Sequence, residues 1–245
     1  MTGDDRVDVN TGAEAWAALV RATWDERAPD WDVAAESHAL SADRTAEIAR
    51  LAVALDLHHG STLLDAGCGA GQFSIAFAHL GCQVTGVDIS SAMIDRARMH
   101  ARDRSVEIEF RIGDIASLTD SANTFDAVHA RVVLQFARDP IMALRCLRKV
   151  LKPGGRMFAS VPGSLSPIYA RSWRRFTAPQ ATGSTFLVPW ELEELLRQTG
   201  FAVIEQWGDY GRSLSGDANS LELAVRDAPI RVQQAAATTW GFIAT

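Results

Sequence analysis

Leu63-Leu64-Asp65-Ala66-Gly67-Cys68-Gly69-Ala70-Gly71 is the stretch on which the fold of this chain turns. A short apolar run, Thr62 to Ala66, breaks into glycines at alternate positions and leads into the helical stretch Gln72 to Leu80. Apolar runs of this length bounded by turn residues read as buried strands. The glycines let the backbone bend sharply and approach a ligand with no Cβ in the way. The segment is therefore a strand, a bend and a helix, with the bend as a candidate ligand cradle. Two phosphate-binding readings fit it poorly. A dinucleotide fingerprint would place its third glycine where Gln72 stands, and a P-loop needs a Gly-Lys-Ser/Thr ending that is absent.

Working outward, the pattern alternates. Gln83 to Val87 reads as a second strand, a helix follows around Ala92 to Ala101, and strands follow at Glu107 to Ile112 and Phe125 to Ala130. Ile141, Leu144, Leu147 and Leu151 mark an amphipathic helix that stops at Lys152-Pro153-Gly154-Gly155, with Arg156 to Val161 as the fifth strand. A helix with Leu192, Leu195 and Leu196 on one face ends at Gly200, and Phe201 to Trp207 and Thr238 to Ala244 complete the strands. Upstream, Ala13 to Trp24 reads as helical, and a second helix carrying Ile48, Leu51, Ala52 and Leu55 starts near Ser41 or Asp43. Parallel strands need right-handed crossovers, and the crossovers here are helices. The expected class is α/β: a Rossmann-like, mainly parallel seven-stranded sheet with helices on both faces, a helical N-terminal cap and late lid insertions. The cap is expected over residues 1–44 and the main domain over 45–245, with irregular insertions at 162–188 and 208–237.

Composition narrows the function. With 47% hydrophobic and 22% charged residues, the chain is of ordinary globular make-up, and its net charge of −6 disfavours a nucleic-acid partner. Arg171 to Arg175, with Trp173 among them, is too short a basic cluster to reverse that, and reads as a solvated helix face. Cys68, Cys82 and Cys146 have neither the pairing of a disulfide framework nor the spacing of a metal cage, so no metal is expected and a reducing cytoplasm fits. No basic leader runs into an apolar stretch and no run of about 18 apolar residues occurs, so neither secretion nor a membrane partner is expected.

The glycine segment resembles the first motif of class I S-adenosylmethionine-dependent methyltransferases, an acidic residue followed by Gly-x-Gly-x-Gly, and the resemblance runs from about Leu63 to Val161. It implies S-adenosylmethionine as cofactor, with Gly67, Gly69 and Gly71 supporting its amino-acid half and Asp65 orienting its ammonium group. Gly86-Val87-Asp88-Ile89-Ser90 ends the second strand about twenty residues on, where such folds place a carboxylate for the ribose hydroxyls. Asp88 takes that role; as a plain helix N-cap it is less suited than Ser90 or Ser91. The resemblance further places Ile89 and Met93 against the adenine, Asp114 on its exocyclic amine and the Ile115 amide on its ring, while Met93 is equally at home as core filler and Asp114 in an Asx turn. Arg131 and Gln135, in Ala130-Arg131-Val132-Val133-Leu134-Gln135, are implied to line the site. That stretch lacks the Asn-Pro-Pro-Tyr of nucleic-acid amino methyltransferases. Trp24-Asp25-Glu26-Arg27-Ala28-Pro29-Asp30-Trp31-Asp32 is similar to the cap motif of many small-molecule members, with Trp31 where tyrosine is usual.

Methyl transfer from a sulfonium depends on positioning more than on dedicated side chains. An acceptor that must lose a proton needs a base, and His129, followed by His38, is the candidate; a histidine satisfied within the sheet is the alternative for His129. Trp173, Phe176, Phe186 and Trp190 either wall an apolar acceptor pocket or pack a lid. The implied function is methylation of a small-molecule acceptor, possible natural-product chemistry included. A donor-binding protein of the same fold with a regulatory or pericyclase-like role is the alternative. Oligomeric state is not legible.

Overall fold

The computed structural model describes residues 9–39, 42–178, 183–210 and 220–245, with side chains described for these except at 9–11, 31–39, 42–43 and 220–221. Seven strands form one sheet: β1 (Thr62–Ala66), β2 (Gln83–Asp88), β3 (Glu109–Ile112), β4 (Phe125–Arg131), β5 (Leu151–Pro162), β6 (Val203–Asp209) and β7 (Thr239–Ala244). Their order is β3-β2-β1-β4-β5-β7-β6, with β1 to β5 parallel and β7 antiparallel to both its neighbours. The Rossmann-like, mainly parallel sheet expected from the alternation of elements is what the chain forms.

Helices α1 (Val9–Ala39), α2 (Ala42–Ala54), α3 (Gln72–His79), α4 (Ser91–Asp103), α5 (Pro140–Val150), α6 (Arg174–Thr177), α7 (Pro189–Gln198), α8 (Ser220–Val225) and α9 (Ile230–Ala236) surround it. Successive side chains of a strand point to opposite faces. Leu64, Val128, Met157 and Phe242 accordingly pack with Leu144 and Leu147 of α5 and Leu192 and Leu196 of α7. Leu63, Ala127, Phe158 and Ile243, one register position away, pack with Leu51 and Leu55 of α2 and Phe77 of α3 on the other face. A sheet buried on both faces explains why its strands read as continuous apolar runs.

The structure departs locally from the sequence reading. The first helix does not stop near Trp24: α1 continues to Ala39 past Pro29, because Ala28 is buried against Ala70 and Met93 and tertiary packing offsets the lost backbone donor. Residue 44, where the cap is expected to end, lies in the first turn of α2, and Leu51 of that helix and the adjoining Leu55 belong to the core. The Lys152-Pro153-Gly154-Gly155 stretch is absorbed into β5, with Leu151 paired to Phe125, a register shift before Ala127, and Gly154 at φ +77°. The insertions expected to be irregular hold α6 in the first and α8 and α9 in the second. Among the described residues, no helix is long and apolar enough to cross a membrane.

Candidate active site

Strand order reverses between β1 and β4, and a parallel sheet binds ligands beyond the carboxyl ends of its strands at such a reversal. The glycine bend sits there. Gly67, Gly69 and Gly71 all adopt positive φ, at +75°, +54° and +84°, which side chains rarely tolerate. A Cβ on Gly67 would lie 2.3 Å from Cγ2 of Val133, so the bend and the loop after β4 pack against each other with no room to spare.

Asp88, at the end of β2, is fastened to the bend. Its Oδ2 accepts from the Gly69 N–H at 2.9 Å and its Oδ1 from the Ser90 N–H at 2.9 Å. Burial pushes its carboxyl up to about 6, assisted by the charge of Asp65 and opposed by the backbone N–H groups of Ser90, Gly69 and Ile89. The helix cap that Asp88 might have supplied is supplied by Ser90, whose Oγ accepts from the Met93 N–H at 3.1 Å.

Asp65 stands beside the bend, almost wholly enclosed, and accepts from Ser74 Oγ at 2.5 Å and from His129 Nδ1 at 2.8 Å. His129 lies in the sheet among Phe73, Phe77 and Phe158, 1% exposed. Met93 is buried under Ala28 of α1 and against Ala70, and Ile89 is half-buried, its carbonyl taking a hydrogen bond from Arg21 at 3.3 Å. Asp114 caps the 3₁₀ turn at residues 115–117, accepting from the Ala116 N–H at 2.9 Å, and Ile115 is buried in the core beside it. Both remain at the carboxyl end of β3, next to Asp88: the Gly113 N–H donates to the Asp88 carbonyl.

Arg131 turns toward α2, its Nε donating to Glu47 Oε1 at 3.0 Å with its guanidinium 5.1 Å from the Phe73 ring. Gln135 is buried in the loop after β4 and donates from Nε2 to the Val132 carbonyl at 3.1 Å, while its Oε1 has no partner. Val132 sits at φ +53°, a strained conformation for a β-branched residue, held by that bond and by its own N–H to the Ser160 carbonyl at 3.1 Å. The side chains of Trp31 and His38, on the C-terminal part of α1, lie outside the described residues. Trp173 and Phe176 are 57% and 78% exposed, so they do not join the buried Phe186 in walling a pocket.

The residues that bring α1 onto the site include Trp24 and Asp25, read from the sequence only as part of the cap motif, and Trp16, to which the sequence reading gave no role. Asp25 Oδ1 accepts from Ser90 Oγ at 2.6 Å and from the Ala92 N–H at 3.1 Å, at the positive end of α4. Trp16 Nε1 donates to the Phe136 carbonyl at 2.8 Å, and Trp24 meets the Phe136 ring edge-on at 5.1 Å. On the other side of that loop, the Thr185 N–H donates to the Gln135 carbonyl at 2.7 Å. A surface groove of about 600 Å³ lined by Asp95, Arg98 and Phe110 lies instead on the outer edge of the sheet, by α4 and β3.

Residues 34–206 match the model of a methyltransferase domain family. The chain belongs to that family. The class I S-adenosylmethionine-dependent methyltransferase resemblance carried by the glycine motif is thereby borne out. The chain is 30% identical over 230 residues to a ubiquinone biosynthesis O-methyltransferase of Xanthomonas axonopodis pv. citri (strain 306), covering 87% of this chain and 92% of the relative. With the ubiquinone biosynthesis O-methyltransferase of Xanthomonas campestris pv. campestris (strain B100) it shares 35% identity over 151 residues, 61% of this chain and 60% of that relative. The crystal structure of the [4+2]-cyclase SpnF superposes with a TM-score of 0.61 at 26% identity, over 80% of this chain and 78% of that one.

Proposed function

We propose that this methyltransferase-family protein transfers a methyl group from S-adenosylmethionine to a hydroxyl of a small organic acceptor, natural-product precursors included, in the cytoplasm and without a nucleic-acid or membrane partner. The observation that carries the reading is the bond from the Gly69 N–H to Asp88, which joins a Cβ-free bend to an acidic strand end at the reversal of the sheet. Relatives named as O-methyltransferases support the choice of an oxygen nucleophile.

The donor supplies an electrophilic methyl group on a sulfonium. The chain's part is to bind, orient and exclude water. In this reading Asp88 accepts from the ribose hydroxyls, Asp65 faces the ammonium group, and Gly67, Gly69 and Gly71 support the amino-acid half. Ile89 and Met93 flank the adenine, with Asp114 and the Ile115 amide at its edge. Arg131 and Gln135 border the methyl end, and Trp31 and His38 belong to the covering helix. The orphaned Oε1 of Gln135 and the glycine conformations fit a site shaped for a polar ligand. Positioning of a well-oriented pair supplies roughly 7–11 kcal/mol of barrier reduction, so a dedicated base is not essential to the chemistry.

A second reading, donor binding without methyl transfer, is supported by the likeness to a cyclase. Calorimetry with S-adenosylmethionine and S-adenosylhomocysteine, followed by mass spectrometry of hydroxylated acceptors incubated with the protein and donor, separates the two. Binding with product formation supports transfer; binding with no methylated product across the panel supports the second reading; absence of binding removes both.

A further inference from the structure

Asp65 and His129 are register partners across β1 and β4, and His129 is in turn the register partner of Phe158 on β5. The row therefore runs from the foot of the glycine bend into the aromatic layer of the core. At its first position the Asp65 carboxylate has both oxygens taken: Oδ1 by His129 Nδ1 at 2.8 Å and Oδ2 by Ser74 Oγ at 2.5 Å. Ser74 comes from the first turn of α3, immediately after the bend. All three residues are at least 97% buried.

The His129 ring is enclosed by Phe73 at 4.7 Å, Phe77 at 5.3 Å and Phe158 at 5.5 Å between centroids. Its Nδ1 faces the carboxylate and its Nε2 has no partner. A base must reach the proton that it takes, directly or through one water. Nε2 is buried without a hydrogen-bond partner, and Nδ1 is occupied by Asp65. The geometry suits a fixed hydrogen-bond donor to Asp65 and gives an acceptor molecule no route to either nitrogen.

We propose that His129 and Ser74 are positioning residues that lock the Asp65 carboxylate toward the ammonium group of the donor's amino-acid half. The proposal rests on the donor-binding reading above. A carboxylate held at both oxygens cannot rotate, and it still has lone-pair directions left for a ligand. Preorganisation of this kind removes the reorganisation that a free side chain would need on binding. The role is confined to one end of the ligand, which makes it separable from a general contribution to folding.

The test is calorimetry on the full chain carrying His129→Phe, which keeps an aromatic ring and removes the N–H, and separately Ser74→Ala. The two ligands are S-adenosylhomocysteine and 5′-methylthioadenosine, which share the adenosine and differ in the amino-acid half. Each variant is expected to lose affinity for S-adenosylhomocysteine by about tenfold, the effect of one hydrogen bond to a charged group, and to change less than about twofold toward methylthioadenosine. Equal losses for both ligands, or unchanged S-adenosylhomocysteine affinity in folded variants, would overturn the assignment. Ser74→Ala removes a single atom and decides the matter if His129→Phe does not fold. Failure of the wild-type chain to bind either ligand would instead sink the donor reading, a distinguishable result.

Discussion

The Gly69 N–H reaches the Asp88 carboxylate at 2.9 Å, so the bend after β1 and the acidic end of β2 form one rigid unit. Replacing Asp88 by alanine removes a ligand contact at a strand end and leaves no large core cavity. The expected result is at least about a tenfold loss of S-adenosylhomocysteine affinity with the fold retained. Calorimetry beside a far-ultraviolet spectrum checks it, and unchanged affinity would refute the ribose assignment.

The same carboxyl sets a pH dependence. Burial raises Asp88 to about 6, so it is increasingly protonated below that pH. A protonated carboxyl accepts poorly from a ribose diol, and donor affinity is expected to fall about tenfold between pH 7 and pH 5. For stability the sign is opposite to that of a salt-bridged carboxylate. The folded state holds this proton up to about pH 6 while the unfolded chain releases it near the ordinary value of about 3.9, so the Asp88 contribution declines as pH rises through that interval. Asp88→Asn should flatten both profiles. A wild-type binding profile flat from pH 5 to 7 would argue against the carboxylate as a ligand.

Gly67 faces two constraints at once, a φ of +75° and Val133 in the space a side chain would need. Gly67→Ala is expected to destabilise the fold by about 2–4 kcal/mol, combining backbone strain with overpacking. Val133→Ala in the same chain removes the nearest atom but keeps a Cβ 2.7 Å away, so it should recover only part of the steric cost and none of the backbone cost. A double-mutant cycle in denaturant measures the coupling, and strict additivity would show that the two do not meet.

Val132 carries its strain for position, since its peptide is fixed from both sides by Ser160 and Gln135. Val132→Gly should relieve the left-handed conformation and leave stability unchanged or raised by about 1 kcal/mol, while turnover falls because the loop loses definition. Thermal melting and initial rates read the two effects. A strongly destabilised glycine variant would show that Val132 contributes chiefly by packing.

Asp25 ties α1 to the first turn of α4 through Ser90 and Ala92. Asp25→Ala should cost about 1 kcal/mol and raise amide exchange across α1 more than across β1 or β4. An exchange pattern in Asp25→Ala unchanged from wild type would mean that α1 is held by other contacts.

Much of this was legible in the sequence for a simple reason. A strand buried on both faces leaves an apolar run, and a positive-φ bend leaves glycines, so β1, the bend and Asp88 announce themselves locally. The partner of Asp65 does not: His129 lies 64 positions away and meets it only through the β1–β4 register. The continuation of α1 beyond Trp24 and past Pro29 was not legible, because helix propensity is local whereas the burial of Ala28 against Met93 is a tertiary effect. Likewise Asp25 and Trp16 gain their meaning only once α1 is laid across the end of β2 and the loop after β4.

That helix closes the mouth of the sheet by ties to Ile89, Ser90 and Phe136, contributed by Arg21, Asp25 and Trp16. If the proposed donor occupies the glycine bend, its entry and exit run past these ties. Exchange of that donor would then be coupled to how often the Trp16 and Asp25 contacts open together, a property of α1 and not of the glycine bend.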